Sequence, residues 1–170
     1  MIETERLRLV PLNGELMEAL LDAGELPFTT PADWPDEHDA RFLRLRLRQL
    51  GESPERFAWP VCAIVRDGAM VGHIGYHGPP GVNARRATDA VEVGYTVFPE
   101  HRRRGYATEA VRGLIEHARG QGVHRFVASV GPDNEPSLAL VRRLGFVEVG
   151  RHWDDEDGEE LEFELSDAWT

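Results

Sequence analysis

The chain has 170 residues, 41% hydrophobic and 29% charged, the proportions of a soluble globular protein with enough length for one domain, residues 1–170, around one core. Its net charge of −11 argues against nucleic acid, whose binding needs a basic surface, and either suits a cationic partner such as an amine or serves solubility alone. No apolar run reaches the roughly 20 residues of a membrane span, Met1-Ile2-Glu3-Thr4-Glu5 lacks signal-peptide character, and the single cysteine, Cys62, excludes an internal disulfide and a cysteine metal cluster, so a cytoplasmic protein without membrane or metal is expected.

Leu7 and Leu9 alternate with Arg6 and Arg8, the pattern of a short first strand ending near Pro11. Leu16, Met17, Leu20 and Leu21 recur at helical spacing, and the prolines of 27–35 mark a loop. From Asp36 to Leu50, Leu43, Leu45 and Leu47 alternate with arginine as in a strand, yet the length and acidic start favour a helix. Trp59–Val65 and Met70–His77 read as strands joined by the turn Arg66-Asp67-Gly68. A loop from Gly78 to about Asp89 leads to a fourth strand, Ala90–Phe98, ended by Pro99. Ala107, Ala110, Val111, Leu114, Ile115 and Ala118 share one face of an amphipathic helix stopped by Gly120. Phe126–Val130, apolar on both faces, belongs inside a sheet. A last helix opens at Asn134-Glu135-Pro136-Ser137 and ends at Gly145. Strands at Phe146–Val149 and Leu161–Leu165 then flank an acidic turn, Asp154–Glu160. The order predicts one mixed α/β domain of about seven strands.

At its centre, the fourth strand feeds Arg102-Arg103-Arg104-Gly105-Tyr106-Ala107-Thr108, where a helix opens at once. The first turn of a helix leaves N–H groups unpaired and partly positive, so it accepts phosphate. Gly105 lets backbone approach a ligand closely, and Ala107 is too small to block it. All 19 lysine-plus-arginine positions are arginine, which excludes a Walker-type phosphate loop, and no Gly-x-Gly-x-x-Gly is present.

Arg102-x-x-Gly105-x-Ala107 resembles the acetyl-CoA signature of the GNAT superfamily of N-acetyltransferases. Asn134-x-x-Ser137, followed by Leu144-Gly145-Phe146, is similar to that family's next motif. Glu3-Thr4-Glu5-Arg6-Leu7-Arg8-Leu9 and Glu92-Val93-Gly94-Tyr95 resemble the branch containing the ribosomal-protein N-terminal (RimJ/RimL-like) acetyltransferases, and the likeness runs from Thr4 to about Leu165. The resemblance implies an acyl-CoA N-acyltransferase fold: a mostly antiparallel sheet flanked by helices, with the fourth and fifth strands splayed. It implies acetyl-CoA as cosubstrate. Backbone groups of Tyr95, Thr96 and Val97 would pair with pantetheine, and Arg103, Arg104, Gly105, Tyr106, Ala107 and Thr108 would cradle the pyrophosphate, with Arg102 at the edge. Asn134 would bond the pantetheine arm, and Arg142 or Arg143 would meet the nucleotide end.

Acetyl transfer needs a neutral amine, a polarised thioester carbonyl and a stabilised thiolate. An α-amino group with pKa near 8 is roughly a tenth neutral at pH 7, whereas a lysine is neutral to about one part in a few thousand. Backbone N–H near Val97 could polarise the carbonyl. Glu92, upstream on the same strand, is the expected base, acting directly or through water, against the alternative of a charge on the sheet's solvated face. His77, His152 and Glu162 are secondary candidates, while His73 and Cys62 read as core residues. In the relatives resembling ribosomal alanine acetyltransferases a tyrosine stands seven residues after the asparagine; here that position is Val141, and their fifth-strand glutamate matches Ser129. Ser137 is then the candidate donor to sulfur, the alternatives being a helix-capping role or expulsion of thiolate without an acid. Trp34, His77 and Trp153 are the acceptor-side candidates, in the acidic segments Pro27–Asp39 and His152–Glu160, with Trp59 a further aromatic; solvated turns with structural tryptophans are the alternative. Three readings follow: acetylation of a protein N-terminus, acetylation of a small amine (aminoglycoside, polyamine or amino-acid derivative), or a non-catalytic acyl-CoA-binding module. A homodimer is left open.

Overall fold

The computed structural model describes residues 1–167. Its strands are β1 (Ile2–Glu3), β2 (Arg8–Pro11), β3 (Val61–Arg66), β4 (Ala69–Tyr76), β5 (Ala90–Val97), β6 (Arg125–Val130), β7 (Val147–Asp154) and β8 (Gly158–Ser166). They form one sheet in the order β1-β2-β3-β4-β5-β6-β8-β7. The pairings are antiparallel except β5 with β6. The helices are α1 (Gly14–Leu21), α2 (Glu37–Glu52), α3 (Tyr106–Gly120) and α4 (Glu135–Arg143).

Alternation along the strands sends apolar side chains to both faces. Cys62, Ile64, Val91, Val93, Phe126 and Phe163 pack under α3 and α4, whose contributions include Ala110, Val111, Leu114, Leu138 and Val141. Val61, Ala63, Val65 and Met70 face the other way, onto Met17 and Leu20 of α1 and Leu43 of α2. In α2, Leu43 is buried while Leu45 is 41% exposed, so the alternating leucines are one helical face plus its solvent side. Asp36 starts that helix by accepting the Asp39 N–H.

Two differences from the sequence expectation lie at the sheet's edges. Ile2–Glu3 adds an eighth strand against β2. The final hairpin is much longer than expected: β7 reaches Asp154 and β8 starts at Gly158, leaving only 155–157 as the turn. His152, Glu160 and Glu162 are therefore ladder residues, polar because the face they occupy is polar.

The feature that positions the site is a parting of strands. Parallel pairing of β5 with β6 ends at Glu92↔Val127, whereas β5 continues against β4 as far as Gly72↔Val97. Beyond Glu92 the two strands diverge, and one edge of β5 lines an opening in the sheet.

Candidate active site

The edge of β5 facing the opening can be identified from its neighbours. His77 donates its N–H to Glu92 C=O, and Phe98 donates its N–H to Val71 C=O, so residues of that parity bond to β4. The intervening Tyr95 and Val97 turn their N–H and C=O groups to the opening, as does the C=O of Val93, whose N–H still belongs to the last β6 pairing. Thr96, expected to pair with pantetheine, is corrected on this count: its backbone belongs to the β4 ladder. Val97 C=O is already met by Arg102 Nε at 2.9 Å, which places Arg102 at the mouth.

The segment after β5 forms a short 3-10 turn, Pro99–His101, then two left-handed residues, Arg103 (φ 62) and Gly105 (φ 79). Gly105 is the N-cap of α3 and offers no side-chain cap, and the first backbone bond closes from Glu109 N–H to Gly105 C=O at 3.1 Å. The amides of Tyr106, Ala107 and Thr108 thus open the helix without a capping side chain, the arrangement that receives phosphate oxygens. Tyr106 can contribute only backbone, because its ring is 3% exposed beneath the guanidinia of Arg6 and Arg66 and its hydroxyl bonds Arg66. Arg6 also donates to Arg104 C=O at 3.0 Å and pairs with Glu109 at 2.7 Å. Glu109 in turn accepts from Thr4 Oγ1 and Arg6 N–H. Burial would push the Glu109 carboxyl up, but the bonds from Thr4 and Arg6 outweigh it and hold it below the ordinary range.

Glu92 leaves the sheet on the face opposite α3, since Val91 and Val93 occupy the α3 side. It is 3% exposed, which corrects the solvated-charge alternative. Its Oε1 accepts from Ser129 Oγ at 2.7 Å and its Oε2 from Ala84 N–H at 2.6 Å. His77 Nδ1 lies 3.7 Å from Oε2, with half of the imidazole side chain exposed, and a Cβ built on Gly94 would stand 3.1 Å from its Nε2. The imidazole therefore lies over β5, between the buried carboxylate and solvent. Arg46 of α2 fixes this point by donating to the carbonyls of Tyr76 and His77.

The same face carries Glu162 and Glu164, both buried. Glu162 is bonded to Arg85 at 2.8 Å and His152 Nδ1 at 3.0 Å, so two of the three secondary base candidates, His152 and Glu162, are engaged with each other. Glu164 is held bidentately by Arg125. Glu160, beside His152 at 3.3 Å, has its carboxyl pushed up by burial and by the charges of Asp157, Asp154 and Glu92, against the pull of His152. The loop of residues 78–89 covers this row through Ala84 and Arg85, leaving a polar, acidic floor.

On the α3 side of the opening, Asn134 caps α4 by accepting the Ser137 N–H at 3.3 Å. Ser137 is consequently not the cap, and its hydroxyl accepts from the Tyr95 phenol at 3.0 Å. Val141 is buried at 2% exposure and offers no donor.

Several sequence candidates fall elsewhere. Arg142 stands beside Glu148 and over Phe163, while Arg143 lines a groove of about 820 Å³ with Gly105, Thr108, Arg112 and the N-terminal segment. Trp153 is 73% exposed and projects from the face opposite His152, because neighbours in a strand alternate; it is not on the acidic floor. Trp34 packs against Phe98 and His73, and Trp59 makes an edge contact with Tyr76 in the core. His73, expected in the core, is partly buried, against Trp34 and Phe42 with Asp39 at 3.7 Å. Cys62 is fully buried, and burial pushes its thiol up to about 12. Sequence reasoning had no role for Arg6, Glu109, Ala84 and Arg85, or for the Tyr95 side chain; only the Thr4-Glu5-Arg6-Leu7 run carried a signal.

A family model described as acetyltransferase (GNAT) domain matches residues 6–147. YjdG of Bacillus subtilis, an uncharacterized N-acetyltransferase, is 28% identical over 158 residues, 86% of this chain and 89% of that protein. The L-amino acid N-acyltransferase MnaT of Escherichia coli is 30% identical over 121 residues, 69% of this chain and 66% of that protein. A solved structure of RimL, a ribosomal L7/L12 α-N-protein acetyltransferase in complex with coenzyme A, superposes with a TM-score of 0.70 at 20% identity, covering 97% of both chains.

Proposed function

This chain belongs to the acetyltransferase (GNAT) domain family, and from that premise we propose that it moves the acetyl group of acetyl-CoA onto an α-amino group, that of a protein N-terminus. One observation carries the reading. Glu92 is the last β5 residue paired with β6, so the buried carboxylate sits where the free edge of β5 begins. A thioester laid along Val93–Val97 and an amine entering over the acidic floor would meet at that point.

The residues fit the cosubstrate. Uncapped amides of Tyr106, Ala107 and Thr108 would take the pyrophosphate, Arg102, Arg103 and Arg104 would add positive charge, and Arg143 would reach the nucleotide end. The open Val93 C=O, the Tyr95 backbone groups and the Val97 N–H would bond the pantetheine amides as an added strand does. When bound, acetyl-CoA supplies the acyl group and the leaving thiol; the chain supplies placement, charge and proton handling.

On the other face, Glu92 and His77 form a relay between the buried carboxylate and solvent. His77 receives the ammonium proton and passes it outward, and Glu92 stabilises the resulting imidazolium at 3.7 Å. An α-amino acceptor asks least of this relay, because its pKa lies about 2 units below that of lysine. RimL acts on a protein α-amino group, which supports the first reading. The E. coli relative acts on L-amino acids, which favours a second: the same chemistry on a free amino-acid derivative.

Thiol release from acetyl-CoA, followed against N-terminal peptides, amino acids, aminoglycosides and polyamines, tests the reading. Turnover with α-amines is expected. Turnover confined to aminoglycosides or polyamines, or binding without any turnover, would overturn it.

A further inference from the structure

We infer that Tyr95 is a positioning residue for the leaving thiolate, acting through Ser137 across the opening between β5 and α4. The inference rests on the acetyl-transfer reading above and adds a role that the family motif does not supply, because the motif's tyrosine position is Val141.

Tyr95 lies on β5 three residues beyond the last β5–β6 pair. Ser137 lies in the first turn of α4, the helix that follows β6. Their hydroxyls meet at 3.0 Å with Tyr95 donating, so a single hydrogen bond joins the two banks of the gap. The direction matters. A phenol is the stronger donor of the two, and a serine hydroxyl that accepts from it keeps its own hydrogen free for a second acceptor. The Ser137 backbone N–H is taken up by the Asn134 cap, so its hydroxyl is not needed for capping. Both side chains are partly exposed, as groups lining a cleft would be. Burial pushes the Tyr95 phenol up, against the opposing pull of Ser137. The phenol accordingly stays protonated at neutral pH and works as a fixed donor.

In the step itself, the nitrogen–carbon bond forms and the carbon–sulfur bond breaks, with the electron pair going to sulfur. Ser137 O–H donates a hydrogen bond to that sulfur as charge collects there, and Tyr95 O–H, bonded to the same oxygen, strengthens and aims the donor. The nitrogen proton leaves through His77, and the departing thiolate takes a proton from water. Charge and protons balance without oxidant or cofactor.

The test is the single-turnover acetyl-transfer rate of Tyr95→Phe, Ser137→Ala and the double variant, with acetyl-CoA affinity measured by calorimetry. Expected losses are about 10-fold for Tyr95→Phe and about 10–100-fold for Ser137→Ala. The double variant should be no slower than Ser137→Ala alone, since the phenol acts only through the serine. Affinity for acetyl-CoA should stay within about 2-fold of the unmodified chain. An undiminished rate in Tyr95→Phe, or losses that multiply in the double variant, would overturn the inference. Should Tyr95→Phe fail to fold, Ser137→Ala carries the test alone, and an unchanged rate there overturns it equally. Failure of the unmodified chain to bind acetyl-CoA would instead remove the functional reading beneath it.

Discussion

At Gly105 the backbone must adopt φ 79 to turn from the arginine loop into α3. A side chain there costs about 1–2 kcal/mol in the left-handed region, and its Cβ would lie 3.3 Å from Arg6 Nη2, a flexible neighbour that can yield. Gly105→Ala should therefore lower the melting temperature by about 2–8 °C and weaken acetyl-CoA binding further, since the first amides of α3 are re-aimed; calorimetry and thermal melts read the two effects separately. Glu92→Gln preserves shape, with Ala84 N–H and Ser129 Oγ still able to bond the amide, but it removes the charge facing His77. Turnover is expected to fall about 100-fold or more while acetyl-CoA affinity holds. Equal turnover in the variant would take Glu92 out of the chemistry.

Among the elements, α3 is tied to the N-terminal segment by Thr4, Arg6 and Glu109, and Arg6 extends the tie to the arginine loop through Arg104 C=O. Arg6→Ala or Glu109→Gln should raise the acetyl-CoA dissociation constant about 10-fold at pH 7 by releasing that loop, as titration calorimetry would register. The pH dependence follows from sign. The Glu109 carboxyl is held below its ordinary value near 4.5, so its contribution is complete above that value and is lost as pH falls through the depressed one. Acidification below about pH 4.5 should thus destabilise the unmodified chain more steeply than Glu109→Gln, in melts taken between pH 6 and about 3. Elements with one clean period were readable in advance: the α3 face from Ala107 to Ala118, and the Arg66-Asp67-Gly68 hairpin. The β7–β8 ladder was not, because His152, Glu160 and Glu162 replace apolar residues on a polar face of the sheet, and an acidic run then imitates a turn. The arginine loop was legible because left-handed glycine and helix start are local features. The Glu92 environment was not, since Ser129, Ala84 and His77 come from three other segments, and burial of a carboxylate leaves no mark in sequence. Tyr95 was read for its backbone alone, its hydroxyl partner lying 42 residues away.

For the molecule as a whole, a net charge of −11 coexists with three consecutive arginines at the mouth of the opening and buried carboxylates on the opposite face. If acetyl-CoA binds at the arginine loop and the acceptor on the acidic floor, as proposed, KM for both should rise as ionic strength increases from about 0.05 to 0.5 M, where screening shortens to a few ångström. Insensitivity of the amine's KM to salt would argue that the acidic floor does not receive it. The free edge of β5 and the acidic floor, proposed above for the two reactants, are separate surfaces of the same sheet. Neither reactant has to vacate the other's path, and the one thiol that could store an acetyl group, Cys62, is sealed in the core as a thiol. Steady-state rates varied in both substrates should accordingly give intersecting rather than parallel double-reciprocal lines: a ternary encounter, in which the acetyl group passes directly between the two reactants without ever being bonded to the protein.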